Sequence, residues 1–355
     1  MVRVKPVKIG LVGCGHVVRF VHLQVLTGLP AVQLVALAEP DPERRRAAAR
    51  RAPRAIAVAS HEELLDNPDV EAVVICVPNA LHAQVAIAAL ERRKHVYLEK
   101  PLAMNLEEGR AVLAAWRQAG VIAMIGFNYR FNKLYMAARR HLQAGRLGKL
   151  VMARSVFSTA TSPPGWKQLR KSGGGVLLDL ASHHVDLIRF LLEREVEEVF
   201  AEVQSHRGED DSAALQLRLS DGLLVQSFFS MSAVEEDRFE VYGQAGKLTV
   251  DRHFALDVSV TEPELDSIRL KRIWRSVRSL RHGPYLLQKL RAPAFEPSYP
   301  AAMARFAAAV RAGEQATPDL DDGLRSLAVL EAAEESARLR RIVPLAAPLH
   351  AGLAP

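Results

Sequence analysis

The stretch VKIGLVGCGHVVRFVHLQVLTGL, residues 7–29, decides how the first part of the chain is read. It opens with VKIGLVG, an apolar run of strand length. Gly13 and Gly15 follow, and HVVRFVHLQVLTGL then reads as a helix ending near Gly28. A strand, a glycine turn and a helix in that order leave backbone N–H groups free at a helix N-terminus, where they can hold a pyrophosphate. The candidate cofactor-binding residues of this turn are Gly13, Gly15, His16 and Val17. Val18 replaces the third glycine of the G-x-G-x-x-G pattern, which implies a slightly wider helix–strand crossing.

Outward from the turn, strands and helices alternate. VQLVALAEP (32–40) reads as a second strand, 42–52 as a helix, EAVVICVPN (71–79) as a continuous apolar strand and 80–93 as a helix. Strand 94–98, helix 105–119 and strand VIAMIGFN (121–128) complete the pattern. This rhythm predicts an α/β fold whose residues 1–126 form a Rossmann domain, a doubly wound parallel sheet that binds NAD(P). From about residue 149 short strands lie close together, with turn signals such as SDG and GQAG, and read as an antiparallel meander. Residues 127–355 are therefore expected to form an α+β domain with an open, mainly antiparallel sheet. A basic insertion (about 266–295) and Ala-rich helices (299–339) belong to this second domain.

Two cysteines, Cys14 and Cys76, sit in or beside apolar strands and read as buried thiols; no metal site is expected. No apolar run approaches the length of a membrane span, and the first strand starts too early for a signal peptide, so the expected location is cytoplasmic. The net charge of +7 is concentrated. Residues 268–291 hold eight Lys or Arg and no acid, so the remainder is nearly neutral. That segment reads as a basic amphipathic helix running until Pro284, suited to anionic partners or a membrane surface, or simply as a solvated insertion. No nucleic-acid partner is expected.

Four places carry chemistry. Glu39 ends the second strand, 26 residues beyond Gly13, where an acid receives a ribose through its hydroxyls and repels a 2′-phosphate. This favours NAD over NADP, although Arg44, Arg45 and Arg46 lie close; alternatively Glu39 caps the next helix. VPNALH (77–82) ends one parallel strand, with Pro78, Asn79 and His82, and LEKP (98–101) ends the next, with Glu99 and Lys100. A partly desolvated Lys100 ammonium there can hold a substrate oxygen, or be a surface lysine. Lastly, GGGVLLDLASHHVDLIRFLL (173–192) is an apolar helix carrying Asp179, His183, His184 and Asp186. At helical spacing Asp179, His183 and Asp186 share one stripe, and His184 points away. A carboxylate beside an imidazole can form a general acid/base pair; equally, Asp179 can N-cap the helix and His183 can be a satisfied core histidine.

The motifs GLVGCGHVVRFVHLQVL, VPNALH, EKPLAMN, GFNYRFN and GGGVLLDLASHHVD, in this order over nearly the whole chain, resemble the glucose–fructose oxidoreductase and inositol dehydrogenase (Gfo/Idh/MocA) family. The resemblance implies that Lys100, Asp179 and His183 are the catalytic residues. It puts Asn128, Tyr129 and Arg130 near the nicotinamide end of the cofactor and makes Trp166 a wall for stacking a sugar. Tyr129, Trp166, Lys100, Asp179 and His183 are then the substrate contacts. Pro78, Asn79, His82, Glu99, Lys100, Asn128 and Arg130 join the glycine turn and Glu39 as cofactor contacts. The family's open sheet is often an oligomer interface, which implies a homodimer or homotetramer.

The expected function is oxidation of a secondary alcohol, or reduction of the matching ketone, on a sugar, cyclitol or nucleotide sugar with NAD. Two alternatives share the fold. A redox-neutral glycosidase would release sugar without net NADH. A non-catalytic sugar or cofactor sensor has no need of the Lys100, Asp179 and His183 set.

Overall fold

A computed structural model describes residues 5–160, 165–261 and 283–345. Among them, those up to Phe131, with Lys171–Gly173 and Ala292–Leu327, form a first unit; the others form a second.

The first unit holds a sheet of β1 (Val7–Val12), β2 (Val32–Ala38), β3 (Ile56–Val58), β4 (Ala72–Ile75), β5 (His95–Leu98) and β6 (Ala123–Ile125). All pairs are parallel, in the order β3-β2-β1-β4-β5-β6. The strand order reverses between β1 and β4, and in such sheets ligands bind at the carboxyl ends beside that switch point. Ile9, Leu11, Val73, Val74, Ile75, Val96 and Leu98 are wholly buried, which is why these strands read as unbroken apolar runs. The connecting helices are α1 (Leu23–Gly28), α2 (Pro42–Arg51), α3 (His61–Leu65), α4 (His82–Glu91) and α5 (Leu106–Ala119). Asp41 and Asn105 cap α2 and α5 by accepting from backbone N–H groups of the first turn.

The second unit begins with α6 (Lys133–Gln143) and β7 (Leu150–Ser158). Then come α7 (Ser182–Leu192), β8 (Val196–Gln204), β9 (Ser212–Leu219), β10 (Leu224–Ser230), β11 (Glu236–Gly243), β12 (Gly246–Asp251) and β13 (Ser259–Thr261). With β14 (Val343–Pro344) they form a sheet in the order β13-β12-β11-β7-β10-β9-β8-β14. The sheet is mainly antiparallel, but it is not the simple meander expected. β7 lies between β10 and β11 and pairs with β10 in parallel. The connection from β7 to β8 carries α7 and is long enough for β7 to leave its sequence neighbour, whereas β8, β9 and β10 follow by short turns and stay antiparallel. The alternation of burial along β9 records one packed face and one open face.

Residues 262–282, which include most of the basic segment 268–291, lie outside the described residues. The segment's described end, Gly283–Arg291, is helical (α8) and includes Pro284; the reading of a helix up to Pro284 falls on residues outside those described. Two helices close the chain, α9 (Ser298–Ala312) and α10 (Leu320–Leu339). Residues 292–327 group with the first unit, not with the second as the linear division has it. Phe306 of α9 is fully buried there, its ring 5.7 Å from that of Tyr97 on β5. No helix among the described residues is long and apolar enough to cross a membrane.

Candidate active site

The first unit gathers its candidate site residues at the carboxyl ends of β1, β2, β4 and β5. Gly13 has φ +88°, and a Cβ on it would lie 2.5 Å from the Cys76 carbonyl oxygen, so only glycine lets the end of β1 approach the end of β4. Gly15 faces open space. Val18 is buried and begins a π turn, Val18–His22, in which the Leu23 N–H donates to the Val18 carbonyl. His16 is exposed, its ring 4.6 Å from that of Phe20, and Val17 is half-buried.

Glu39 is built into this turn. Its Oε2 accepts from the Cys14 N–H at 2.8 Å, and its Oε1 accepts from the Asp41 N–H at 3.0 Å. Arg44 stands 3.1 Å from the same carboxylate. The cap of α2 is Asp41, so Glu39 is not needed for that role. A buried carboxylate at the end of β2, beside a glycine turn with open space at Gly15, fits the adenosine half of a dinucleotide. Cys14 and Cys76 are free and buried. Burial, then the Glu39 charge, push the Cys14 thiol up to about 12 against the opposing pull of Arg44.

The next two strand ends are tied together by His82. Its Nδ1 lies 2.6 Å from the Pro101 carbonyl oxygen and its Nε2 3.1 Å from that of Val77. Burial pushes its pKa down, against these carbonyls. Pro78 is exposed, and Asn79 is buried with its Nδ2 donating to the Gly173 carbonyl at 2.7 Å. Glu99 is buried at the end of β5, and Lys100, half-buried, follows it. Asn128 donates to Ser298 Oγ at 2.8 Å, Tyr129 is buried, and Arg130 forms an ion pair with Asp322 at 3.1 Å.

In the second unit a π turn, Leu177–Ala181, leads into α7. Asp179 lies inside that turn and so is not its N-cap. Its Oδ1 accepts from Lys167 Nζ at 2.7 Å, a partner that a lone lysine in a loop does not announce in sequence. The Lys167 ammonium also lies 5.6 Å from the centre of the half-buried Trp166 ring. The glycines before the helix serve this loop, because a Cβ on Gly174 would overlap the Lys167 carbonyl oxygen at 2.1 Å. His183 is 8% exposed and His184 wholly buried. His184 stacks on Phe157 and approaches Asp237 at 3.3 Å, which gives it a packing role. Asp186 is buried, 3.8 Å from Arg189. Among the described residues no His, Cys, Asp and Glu cluster could hold a metal ion.

With this geometry in view, comparison with known proteins is decisive. Residues 7–127 match the NAD-binding Rossmann fold of the Gfo/Idh/MocA oxidoreductases, and residues 135–249 match that family's C-terminal domain. The chain belongs to the Gfo/Idh/MocA family. Its first sheet is the family's NAD-binding domain, and the protein is an oxidoreductase of a group that acts on sugars and cyclitols. Myo-inositol 2-dehydrogenase of Thermotoga maritima is 29% identical over 347 residues, covering 95% of this chain and 98% of its own. 1,5-anhydro-D-fructose reductase of Ensifer adhaerens is 36% identical over 200 residues, covering 54% of this chain and 60% of its own. The crystal structure of a probable dehydrogenase from Thermotoga maritima superposes with TM-score 0.78 at 25% identity, covering 95% of this chain and 98% of that one.

Proposed function

We propose that this oxidoreductase moves a hydride between NAD and a ring carbon bearing a secondary hydroxyl, on a sugar, cyclitol or nucleotide sugar. The observation that carries the choice of NAD is Glu39, a buried carboxylate hydrogen-bonded into the glycine turn. A 2′-phosphate would meet that charge, and a ribose diol would donate to it. The names of the relatives, an inositol dehydrogenase and an anhydrofructose reductase, support a polyhydroxylated ring as substrate.

Gly13, Gly15, His16 and Val17 would hold the pyrophosphate, and Pro78, Asn79, His82, Glu99, Asn128 and Arg130 would frame the remainder of the cofactor site. When bound, the nicotinamide supplies hydride acceptance and donation at its C4. Lys100 holds the reacting oxygen and offsets its charge as the alcohol proton leaves. His183 takes that proton in oxidation and returns it in reduction. Asp179, tied to Lys167, orients the substrate or the His183 ring, with Tyr129 and Trp166 along the substrate.

Self-association belongs to the same reading. Met152 and Phe228 are exposed on the second sheet and offer apolar surface for a homodimer or homotetramer, which sedimentation velocity would reveal. The functional test is initial rates at 340 nm over a panel of cyclitols and sugars with NAD and with NADP. The reading expects turnover of at least one polyol and a clear preference for NAD; a clear preference for NADP overturns the role of Glu39.

A further inference from the structure

One buried contact of the first unit, between His22 and Glu99, is not accounted for by the scheme above. His22, on the π turn after the glycines, donates from Nε2 to Glu99 Oε1 across 2.7 Å. The two side chains are 2% and 10% exposed. Tyr97 and Tyr299 hold the imidazole edge-on, with ring centroids at 6.1 and 5.6 Å. His22 Nδ1 is buried without a hydrogen-bond partner.

Glu99 is confined from the other side as well. A Cβ on Gly126 would lie 3.0 Å from Glu99 Oε2, so the glycine makes room for the carboxylate on that side. The titratable groups around it are His22, His82, Cys76, Tyr97 and Lys100. Burial and the Glu99 charge push the Cys76 and Tyr97 ionisations up, so both stay neutral. Burial pushes the Glu99 carboxyl up, but the His22 hydrogen bond and charge, with Lys100 and His82, together hold it below the ordinary carboxylate range.

We infer that His22 and Glu99 are positioning residues for Lys100: the His22 hydrogen bond fixes a buried carboxylate next to Lys100 in the chain, and that carboxylate sets the charge and aim of the lysine ammonium. The inference rests on the reading of Lys100 given under the proposed function. It assigns the histidine of the first helix a part in the chemistry at the end of β5.

The test uses the full chain with its lysines reductively methylated with 13C-formaldehyde. The Lys100 resonance is assigned by its loss in Lys100→Arg and is titrated with pH by NMR. The Glu99→Gln variant keeps the shape and loses the charge. Its Lys100 midpoint should fall by at least about one pH unit, the low end of what a nearby opposite charge does. His22→Gln retains a donor near the Nε2 position and should keep the wild-type midpoint, whereas His22→Leu should shift toward the Glu99→Gln value. Thermal melting and circular dichroism establish that each variant is folded. An unchanged midpoint in folded Glu99→Gln overturns the inference, whatever the kinetics. Full turnover by Lys100→Met would instead overturn the functional reading, and the titration would still decide whether Glu99 governs the lysine.

Discussion

Glu39 Oε2 accepts a hydrogen bond from the backbone N–H of Cys14 at 2.8 Å, so the acid that ends β2 is part of the glycine turn that ends β1. Selectivity against a 2′-phosphate and the shape of the turn thus depend on one side chain. Glu39→Ala leaves the buried Cys14 N–H unmet, a cost of about 1–3 kcal/mol. It also releases Arg44, 3.1 Å away, to meet a phosphate. We expect a lower melting temperature, weaker NADH binding and a narrowed preference for NADH over NADPH, read by fluorescence titration with both.

Gly13→Ala tests the close approach of β1 to β4. A Cβ there would lie 2.5 Å from the Cys76 carbonyl oxygen, at a φ of +88° that alanine disfavours. The backbone strain alone is about 1–3 kcal/mol. The variant should melt earlier than wild type and lose measurable NADH binding; wild-type behaviour in both would mean that the turn is more pliable than its geometry.

The pH dependence of stability should carry the mark of Asp237. It is wholly buried, accepts from Tyr135 at 2.8 Å and Arg252 at 2.6 Å, and approaches His184. Burial pushes its carboxyl up, but the charges of Arg252 and His184 and their hydrogen bonds win and hold it far below the ordinary range. A carboxyl depressed in the folded state stabilises fully above its unfolded pKa of about 3.9 and loses that contribution progressively as pH falls below it toward the folded value. Asp237→Asn should therefore cost about 3–5 kcal/mol near neutrality. The gap from wild type should narrow steadily below about pH 4 in urea titrations.

The cysteines give a simpler check. Both are buried, and the Cys14 thiol is pushed up to about 12. Neither should react with a disulfide reagent at pH 8 in the native protein, and both should react in denaturant. Fast native reaction would contradict the packing at the end of β1.

The parallel sheet was legible because β1, β4 and β5 are largely apolar runs and Gly13 and Lys100 punctuate the ends of β1 and β5. β3 and α3 were not, since three and five residues are too few for periodicity to register. α6 has a readable Asn132 cap and an apolar face at Leu134, Tyr135 and Ala138, but it follows directly on the denser NYRF motif. The parallel pairing of β7 with β10 depends on where a long crossover returns, which local pattern does not encode. Of the candidate site, Glu39, Lys100 and His183 are proposed from position and chemistry. Lys167, the partner of Asp179, was missed because contact between a loop and a helix leaves no spacing rule.

Lys167 itself should matter to the reaction. Removing it in Lys167→Met leaves the Asp179 carboxylate without its 2.7 Å partner. We expect kcat/KM to fall about tenfold, the loss of roughly one charged hydrogen bond, with NADH affinity unchanged. Steady-state kinetics on the preferred polyol would measure it, and an unchanged kcat/KM would reduce the pair to a loop tether.

The most direct test compares wild type, Lys100→Met and His183→Ala on the best polyol at saturating NAD. The account predicts that each variant still binds NADH but loses at least about a hundredfold in kcat, the low end for a positioned acid or base. Wild-type turnover in both variants would contradict it.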